Sequence, residues 1–403
     1  MIELTEAIAK IAILVGGLMT AAAYFVLLER WMAAWIQMRR GPNRVGVPLT
    51  KLKMFGLGQP LADGLKFIFK EEYTPGHVDR PLFTAAPLVI LAAALAVFAV
   101  IPFGSVLPAD LGLAETSAPV PLVVAPGIDV GLVYVFALSS IAVYGVILGG
   151  WASNNKYSFL GGLRSSAQLI SYELPLGLGI LGVVLATGSL RLEEIIARQA
   201  ESGVWFAVAQ PLGLVVFVTA ALAEAGRLPF DLPECEQELI GGYHTEYSGI
   251  RLLLFLVAEF IHMVTAAFLI VILFLGGWHF WGLTGSGDEI GWPTAIARIA
   301  VLMGKILTVI LFFMLVRWTW PRFRFDQLMA LAWKVMLPLG MVNLAAVAVV
   351  YELRHVGWLG EHFGQWSTLA VIGAGWLVLL IGWIAVAVAS PSLADNRPEG
   401  RSL

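Results

Sequence analysis

The sequence predicts an all-α polytopic membrane protein of about nine transmembrane helices plus an interfacial amphipathic helix. It forms a single integral membrane domain over residues 1–403. Composition comes first: the chain is 59% hydrophobic and 13% charged, with a mean hydropathy of +0.84. Apolar runs long enough to cross a bilayer recur from end to end. Lipid offers no partner to backbone N–H and C=O groups, so an open chain crosses it only as helix.

The spans run, in order, over Ala7–Gln37, Ala85–Phe103, Val130–Gly150, Ser171–Thr187, Phe206–Ala223, Leu252–Phe280, Ile299–Trp318, Ala330–Tyr351 and Leu369–Ala389. The first and sixth exceed a perpendicular crossing, which implies tilt or extension beyond the bilayer. Gln59–Glu72 is too short and polar to cross. Leu61, Leu65, Ile68 and Phe69 recur there at helical spacing, with Asp63, Lys66 and Lys70 elsewhere on the wheel. That pattern predicts an amphipathic helix in the membrane interface. It reads first as a lipid anchor and second as the wall of an entrance for a lipid-soluble substrate, bordered by Leu65 and Ile68.

Basic residues set the orientation. With the N-terminus outside, 19 of the 25 Lys and Arg belong to one side. Only Arg191, Arg198, Arg298 and Arg354 belong to the other, while Lys10 and Lys305 fall inside spans. Loops 39–84 and 223–251 are therefore expected in the cytoplasm, together with the C-terminus. Met1–Glu6 lacks a basic n-region, so no cleavable signal peptide is expected.

Composition also excludes several classes. Cys235 is the sole cysteine, which rules out an intramolecular disulfide and any Cys-only metal or iron–sulfur site in this chain. The six histidines lack ligand spacing. No glycine-rich phosphate loop follows a strand, and nothing points to nucleic acid. No internal repeat supports the inverted-repeat logic of many transporters.

The densest chemistry lies in Ala223–Gly249, which carries Glu224, Asp231, Glu234, Glu236, Glu238 and Glu246 with Arg227 as the clear cation. Ionisable groups beside a bilayer are expensive and functional by default. Neighbouring carboxylates titrate as a group, which suits proton handling. The plainer reading is a solvated acidic loop in which Glu224 and Arg227, three apart, form one ion pair. Glu224 directly follows an apolar run, which favours function. Pro229 and Pro233 break helix within the loop. Glu234 and Glu236 follow Pro233 at a first-turn position. Glu173 lies in SYELPLG of the fourth span. Glu259 and His262 share one face of the sixth, as a proton path or as a polar clamp between helices. Lys305 is one possible partner for Glu259. Arg39, Arg40 and Arg44 flank a Gly-Pro-Asn turn that fixes their directions, although basic loops of this kind also set topology and bind anionic lipid.

Several segments together resemble one family, the H-type membrane subunit of the proton-pumping NADH:quinone oxidoreductase, respiratory complex I. They are Glu29-Arg30, MRRGPNRVG at 38–46, GQPLADGLKFIFKE at 58–71, GGWASNNKYSFLGGLRSSAQLISYELPLGL at 149–178, the acidic segment at 223–249, and VRWTWPRFRFDQLMALAWKVMLPL at 316–339. The resemblance implies a multi-pass subunit of the cell inner (plasma) membrane. Such a subunit forms much of the ubiquinone or menaquinone chamber and couples quinone reduction to proton translocation. It implies quinone as substrate and no cofactor bound by this chain, with iron–sulfur clusters and FMN on partner subunits of the peripheral quinone module. Membrane-arm subunits and membrane lipid are the other partners. Carried over by motif, Arg30, Arg40, Arg44, Gln59, Asp63 and Lys66 match the quinone-side segments. Glu173, Glu224, Arg227, Asp231, Glu234, Glu236, Glu238 and Glu246 belong to the coupling element, and Glu259 joins them from its place in the sixth span.

This chain departs from the family pattern in carrying Ala225-Gly226 where a hydroxyl residue and Asn are usual. Its 47–55 stretch is long, and the span after Trp366 is less diagnostic. Two other readings stay open. One is the homologous membrane subunit of an energy-converting hydrogenase or ferredoxin-type complex. The other is a stand-alone proton-coupled transporter.

Overall fold

The computed structural model describes residues 2–46, 54–108, 120–231, 239–281, 283–284 and 291–394. Most of the 47–55 stretch lies outside the described residues, as do Pro233, Glu234, Glu236 and Glu238. Among the described residues, eight helices are long and apolar enough to cross a membrane, and a shorter apolar helix covers Pro211–Glu224. The chain is a multi-pass, all-α membrane protein.

Helix α1 (Ile2–Ile36) has 35 residues and reaches about 52 Å at 1.5 Å per residue, well beyond the hydrocarbon thickness. After the GPN loop comes α2 (Gln59–Phe69). Helix α3 (Arg80–Ala96) starts at Asp79, whose carboxylate accepts from the Leu82 N–H at 3.5 Å, with Pro81 in its first turn. A two-residue antiparallel pair, β1 (Val106–Leu107) and β2 (Val120–Pro121), precedes α4 (Gly131–Ala152). Helix α5 (Lys156–Thr187) begins where Asn155 accepts from the Tyr157 N–H at 3.0 Å and ends at left-handed Gly188. Then follow α6 (Leu192–Ser202), α7 (Phe206–Ala209) and α8 (Pro211–Glu224). Helices α9 (Gly249–Phe274), α10 (Trp292–Thr319) and α11 (Phe325–His355, with a π-turn at Leu331–Met336) complete the bundle. The short α12 (Trp358–Phe363) leads to α13 (Ser367–Ala394).

The bundle is organised around α9, which packs against α1, α2, α3, α6, α8 and α10. In its most apolar window 78% of residues are buried inside the protein, against 6% in α13. Helix α9 is thus the axis, and α13 is a peripheral strut facing lipid.

Three span boundaries differ from the sequence expectation. The fourth helix begins fifteen positions earlier, at Lys156 rather than Ser171. That added half is Gly- and Ser-rich and low in hydropathy, yet Ser158, Gly161, Gly162 and Ser165 are buried. Small residues there permit close packing: a Cβ on Gly161 would lie 2.6 Å from Gly242 Cα. The fifth span is broken, because the pyrrolidine ring of Pro211 and the non-helical Gln210 separate α7 from α8. The sixth stops at Phe274, where Gly276 and Gly277 turn the chain with positive φ.

Candidate functional site

Two loops meet at the end of α1. A Cβ on Gly56 (φ +85°) would lie 2.3 Å from the Pro42 carbonyl oxygen, and one on Gly58 would lie 2.2 Å from that of Gly46. Trp31 Nε1 donates to the Pro42 carbonyl at 2.9 Å. The GPN loop is thereby pinned between α1 and α2. It helps enclose a cavity of ≈ 1290 Å³ that reaches α9 and the end of α10. Arg30, Arg40, Arg44, Gln59, Asp63 and Lys66 all line this cavity. Asp63 takes Arg30 Nη1 at 2.7 Å and Gln59 Nε2 at 3.2 Å. The apolar wall includes Met19, Val26, Leu256 and Phe260, so the site is an apolar slot with a charged entrance.

Helix α2 turns its polar side to that cavity. Gly64 and Phe67 line it beside Asp63 and Lys66. The apolar Leu61, Leu65, Ile68 and Phe69 point outward, Leu65 being 43% exposed and Phe69 83%. Leu65 and Ile68, expected to border a substrate entrance, are not among the residues that line this cavity. Charge within the cavity draws the polar side in and leaves the apolar side for the bilayer.

At the deep end stands a row of alternating charges. Arg317 pairs with Glu29. Glu29 Oε2 lies 3.5 Å from Arg227 Nη1, and Arg227 Nη2 lies 3.9 Å from Glu259 Oε2. The Arg227 guanidinium also sits 4.2 Å from the Phe260 ring centroid. Arg227 and Glu29 are buried, and buried charge needs such pairing. The expected Glu224–Arg227 pair does not form. Helix α8 ends at Glu224 and Gly226 turns with φ +61°, so helical i,i+3 spacing no longer applies at Arg227. Nor does Lys305 meet Glu259: its Nζ donates to the carbonyls of Leu275, Gly277 and His279 at 2.6, 2.9 and 2.7 Å.

Beyond Glu259 lies a second cavity of ≈ 60 Å³, lined by Glu173, Glu224, Asp231, Glu259 and His262 with Ser139, Gln168 and Tyr243. Such a volume holds roughly four waters. Ser139 donates to Glu224 and Ser140 to Glu173. Gln168 Nε2 donates to the Ala223 and Phe230 carbonyls at 2.9 and 2.8 Å, which fastens the acidic loop to α5. A void of ≈ 20 Å³ shares Ser139, Glu224 and His262 and continues to Thr265. In the loop, burial pushes the Asp231 carboxyl up to about 6 and nearby Glu259 adds to this, against Arg322, Arg317 and Arg227. Arg322 Nη2 stands 3.6 Å from Asp231 Oδ2. Burial also lowers the His244 pKa, against the opposing pull of Glu259. Asp231 Oδ1 and Arg227 Nε are buried without hydrogen-bond partners; beside cavities of this size water satisfies such atoms. Carboxylates and hydroxyls in this spacing can pass protons through water. Among the described residues, no group of three His, Cys, Asp or Glu could hold a metal ion.

The structure therefore gathers Glu173, Glu224, Asp231 and Glu259, with Arg227 at the join to the larger cavity. It leaves Glu246 apart, accepting from Asn155 Nδ2 at 2.6 Å and tying the loop to the start of α5. Glu234, Glu236 and Glu238 lie outside the described residues. Sequence reasoning passed over Glu29, Arg317, Ser139 and Ser140 as site residues. Their signals were an acid late in an apolar run, a cation taken as topology charge, and a hydroxyl pair mid-span.

A family model described as NADH dehydrogenase matches residues 9–348. An H-type NADH-quinone oxidoreductase subunit of Geobacter metallireducens is 47% identical over 347 residues, covering 86% of this chain and 97% of that relative. The chain belongs to this family of H-type subunits. An H-type subunit of Syntrophobacter fumaroxidans is 46% identical over 354 residues, covering 88% of this chain and 97% of the relative. The H-type subunit of Leptospira biflexa is 44% identical over 356 residues, covering 87% and 96%. Helices α12 and α13 lie beyond the part that the family model matches.

Proposed function

We propose that this chain is the complex I membrane subunit that forms much of the quinone-binding chamber and couples quinone reduction to proton translocation. One observation carries the reading: the cavity holding Arg30, Arg40, Arg44, Gln59, Asp63 and Lys66 and the acid-lined cavity share Glu259. A quinone takes up electrons and protons in equal number when it becomes quinol. The electrons come from partner subunits that carry the iron–sulfur clusters and FMN. This chain supplies a slot for the headgroup and tail, and a path for charge. Negative charge developing in the chamber attracts Arg227 and loosens its hold on Glu259. The carboxylates beyond then change their proton occupancy, because each responds to its charged neighbours. In this reading loops 39–84 and 223–251 and the C-terminus face the cytoplasm, the N-terminus lies outside, and the chain sits in the cell inner membrane. The cytoplasmic loops dock the peripheral quinone-module subunits, the helices meet membrane-arm subunits and lipid, and the quinone is ubiquinone or menaquinone.

Glu224→Gln tests this, since it keeps size and hydrogen bonding but removes titration. The assembled complex should stay intact and pass electrons to an artificial acceptor upstream of quinone. Quinone reduction with its linked pumping should fall on the order of 100-fold, the scale of a lost proton-transfer group. Glu224→Asp should keep part of the activity. Full coupled turnover with Gln at 224, or failure to assemble, overturns the coupling role of this loop.

A further inference from the structure

On the membrane face opposite the Arg-rich loops, a second large cavity of ≈ 470 Å³ lies between α5, α6, α7, α11 and α13. It shares no lining residue with the three cavities described above. Its walls are apolar, with Ala186, Val347, Val350, Val371, Ile372 and Val378. Its rim carries Arg198, Arg354, Glu201 and Tyr351. Its floor is closed by Gln210 and Asn343, whose Oε1 and Nδ2 each lie 2.9 Å from where a Gly182 Cβ would stand. These amides form a polar plug between helices. Asn343 and Arg354 are eleven residues apart on α11, or about 16 Å along the axis. That is roughly half the hydrocarbon thickness, so the trough is one leaflet deep.

The rim charge is the telling feature, because the loops on this side carry only four Lys or Arg, namely Arg191, Arg198, Arg298 and Arg354. Arg191 meets Glu194 at 3.1 Å and Asp129 at 3.8 Å. Arg298 donates to the Thr284 carbonyl and to Ser105. The other two stand together at the trough. Arg198 reaches Glu201 at 3.4 Å, and Arg354 has no partner among the described residues. The rim thus keeps one uncompensated positive charge at the level where lipid headgroups sit. Gly375 allows the wall to close, since a Cβ there would lie 2.2 Å from the Ala209 carbonyl oxygen.

We propose that this trough is a binding site for one anionic phospholipid, with the phosphate on Arg354 and Arg198 and an acyl chain along Val347, Val350 and Val371. The site is built in part by α13, which lies beyond the region that the family model matches. The inference is independent of the quinone reading.

The test uses the intact complex containing the full chain, purified in mild detergent and stripped of loose lipid. Native mass spectrometry then counts retained phospholipid, before and after exposure to vesicles of phosphatidylglycerol or phosphatidylcholine. Phosphatidylglycerol should be retained and rebound preferentially. Arg354→Gln and Arg198→Gln should each weaken its binding about fivefold, the effect of one cation near a membrane surface. Ala374→Trp should fill the trough and abolish retention. Should that variant not assemble, exposed Arg354 still decides the matter. A photo-crosslinker at Val371 should label lipid. Unchanged retention in both arginine variants overturns the site. Competition by inorganic phosphate at equal concentration would make it a free-anion site, and a crosslink to another protein of the complex would make it a protein-docking face; either outcome overturns the proposal.

Discussion

Helix α9 meets two cations, Arg227 near its first half and Lys305 at its far end, and they are held in opposite ways. The Lys305 ammonium donates to three backbone carbonyls and lies 4.4 Å from the Trp205 ring centroid. Its hydrogen-bond partners are fixed dipoles of the turn that follows α9, at the negative end of that helix. Arg227 instead stands between the carboxylates of Glu29 and Glu259, and its Nε and Nη2 make no hydrogen bond. A cation saturated by three backbone carbonyls is a structural pin. A cation shared between carboxylates, with donors to spare, can shift its allegiance. On this contrast we propose Arg227 as the functional cation of the two, although both are ionisable residues in an apolar sequence.

The strongest way to break this contrast is substitution at both positions. Arg227→Gln removes a partner from buried Glu29 and part-buried Glu259, a cost of up to about 3–5 kcal/mol. Quinone reduction by the complex should be lost, and Arg227→Lys should restore part of it. Lys305→Met leaves carbonyls without a donor and should lower stability by about 1–3 kcal/mol, read as earlier thermal dissociation of the complex. Its turnover and pH profile should match the unaltered protein. A pH profile that moves with Lys305→Met would erase the distinction.

A smaller effect should come from the chamber wall. Nothing lies within 4 Å of a Cβ at Gly64, which faces the cavity, whereas Leu65 points outward. Gly64→Trp should impair turnover of a long-tailed quinone more than of a short-tailed analogue, and Leu65→Trp should affect neither. Equal loss for both quinones at Gly64 would mean that the tail does not pass α2.

Asp231 gives a pH-dependent test of the Arg227 surroundings. Its carboxyl holds a proton up to about pH 6 in the folded chain, whereas an exposed aspartate releases it near 4. Its stability contribution is thus fully present at acid pH and is lost as pH rises through about 6. Asp231→Asn should flatten that slope in the thermal stability of the complex and remove any acidic limb of turnover centred there. An unchanged slope would show that another group titrates in this window.

The least demanding test concerns orientation. Glu71 and Asp129 are exposed and lie in loops expected on opposite sides. Cysteines there, in a Cys235→Ser background, should label from opposite sides with an impermeant thiol reagent. Labelling from one side would overturn the topology.

The sequence by itself determined the class of fold, the order of the spans and the segments in which chemistry concentrates. Hydropathy is a local property, and a run of apolar residues carries its own instruction to cross lipid. It also marked Glu173, Glu224 and Asp231 as ionisable groups set where ions are costly. It failed where packing outweighs hydropathy: the glycines and serines at 156–170 look like loop but form helix, because small residues let backbones touch. Pairing was decided only in three dimensions. Glu29 and Arg317 are 288 residues apart yet form an ion pair, and the Glu224–Arg227 pair suggested by spacing is undone by one left-handed glycine. Which charges meet is a property of contacts between distant helices, and these exist only once the bundle has closed around α9.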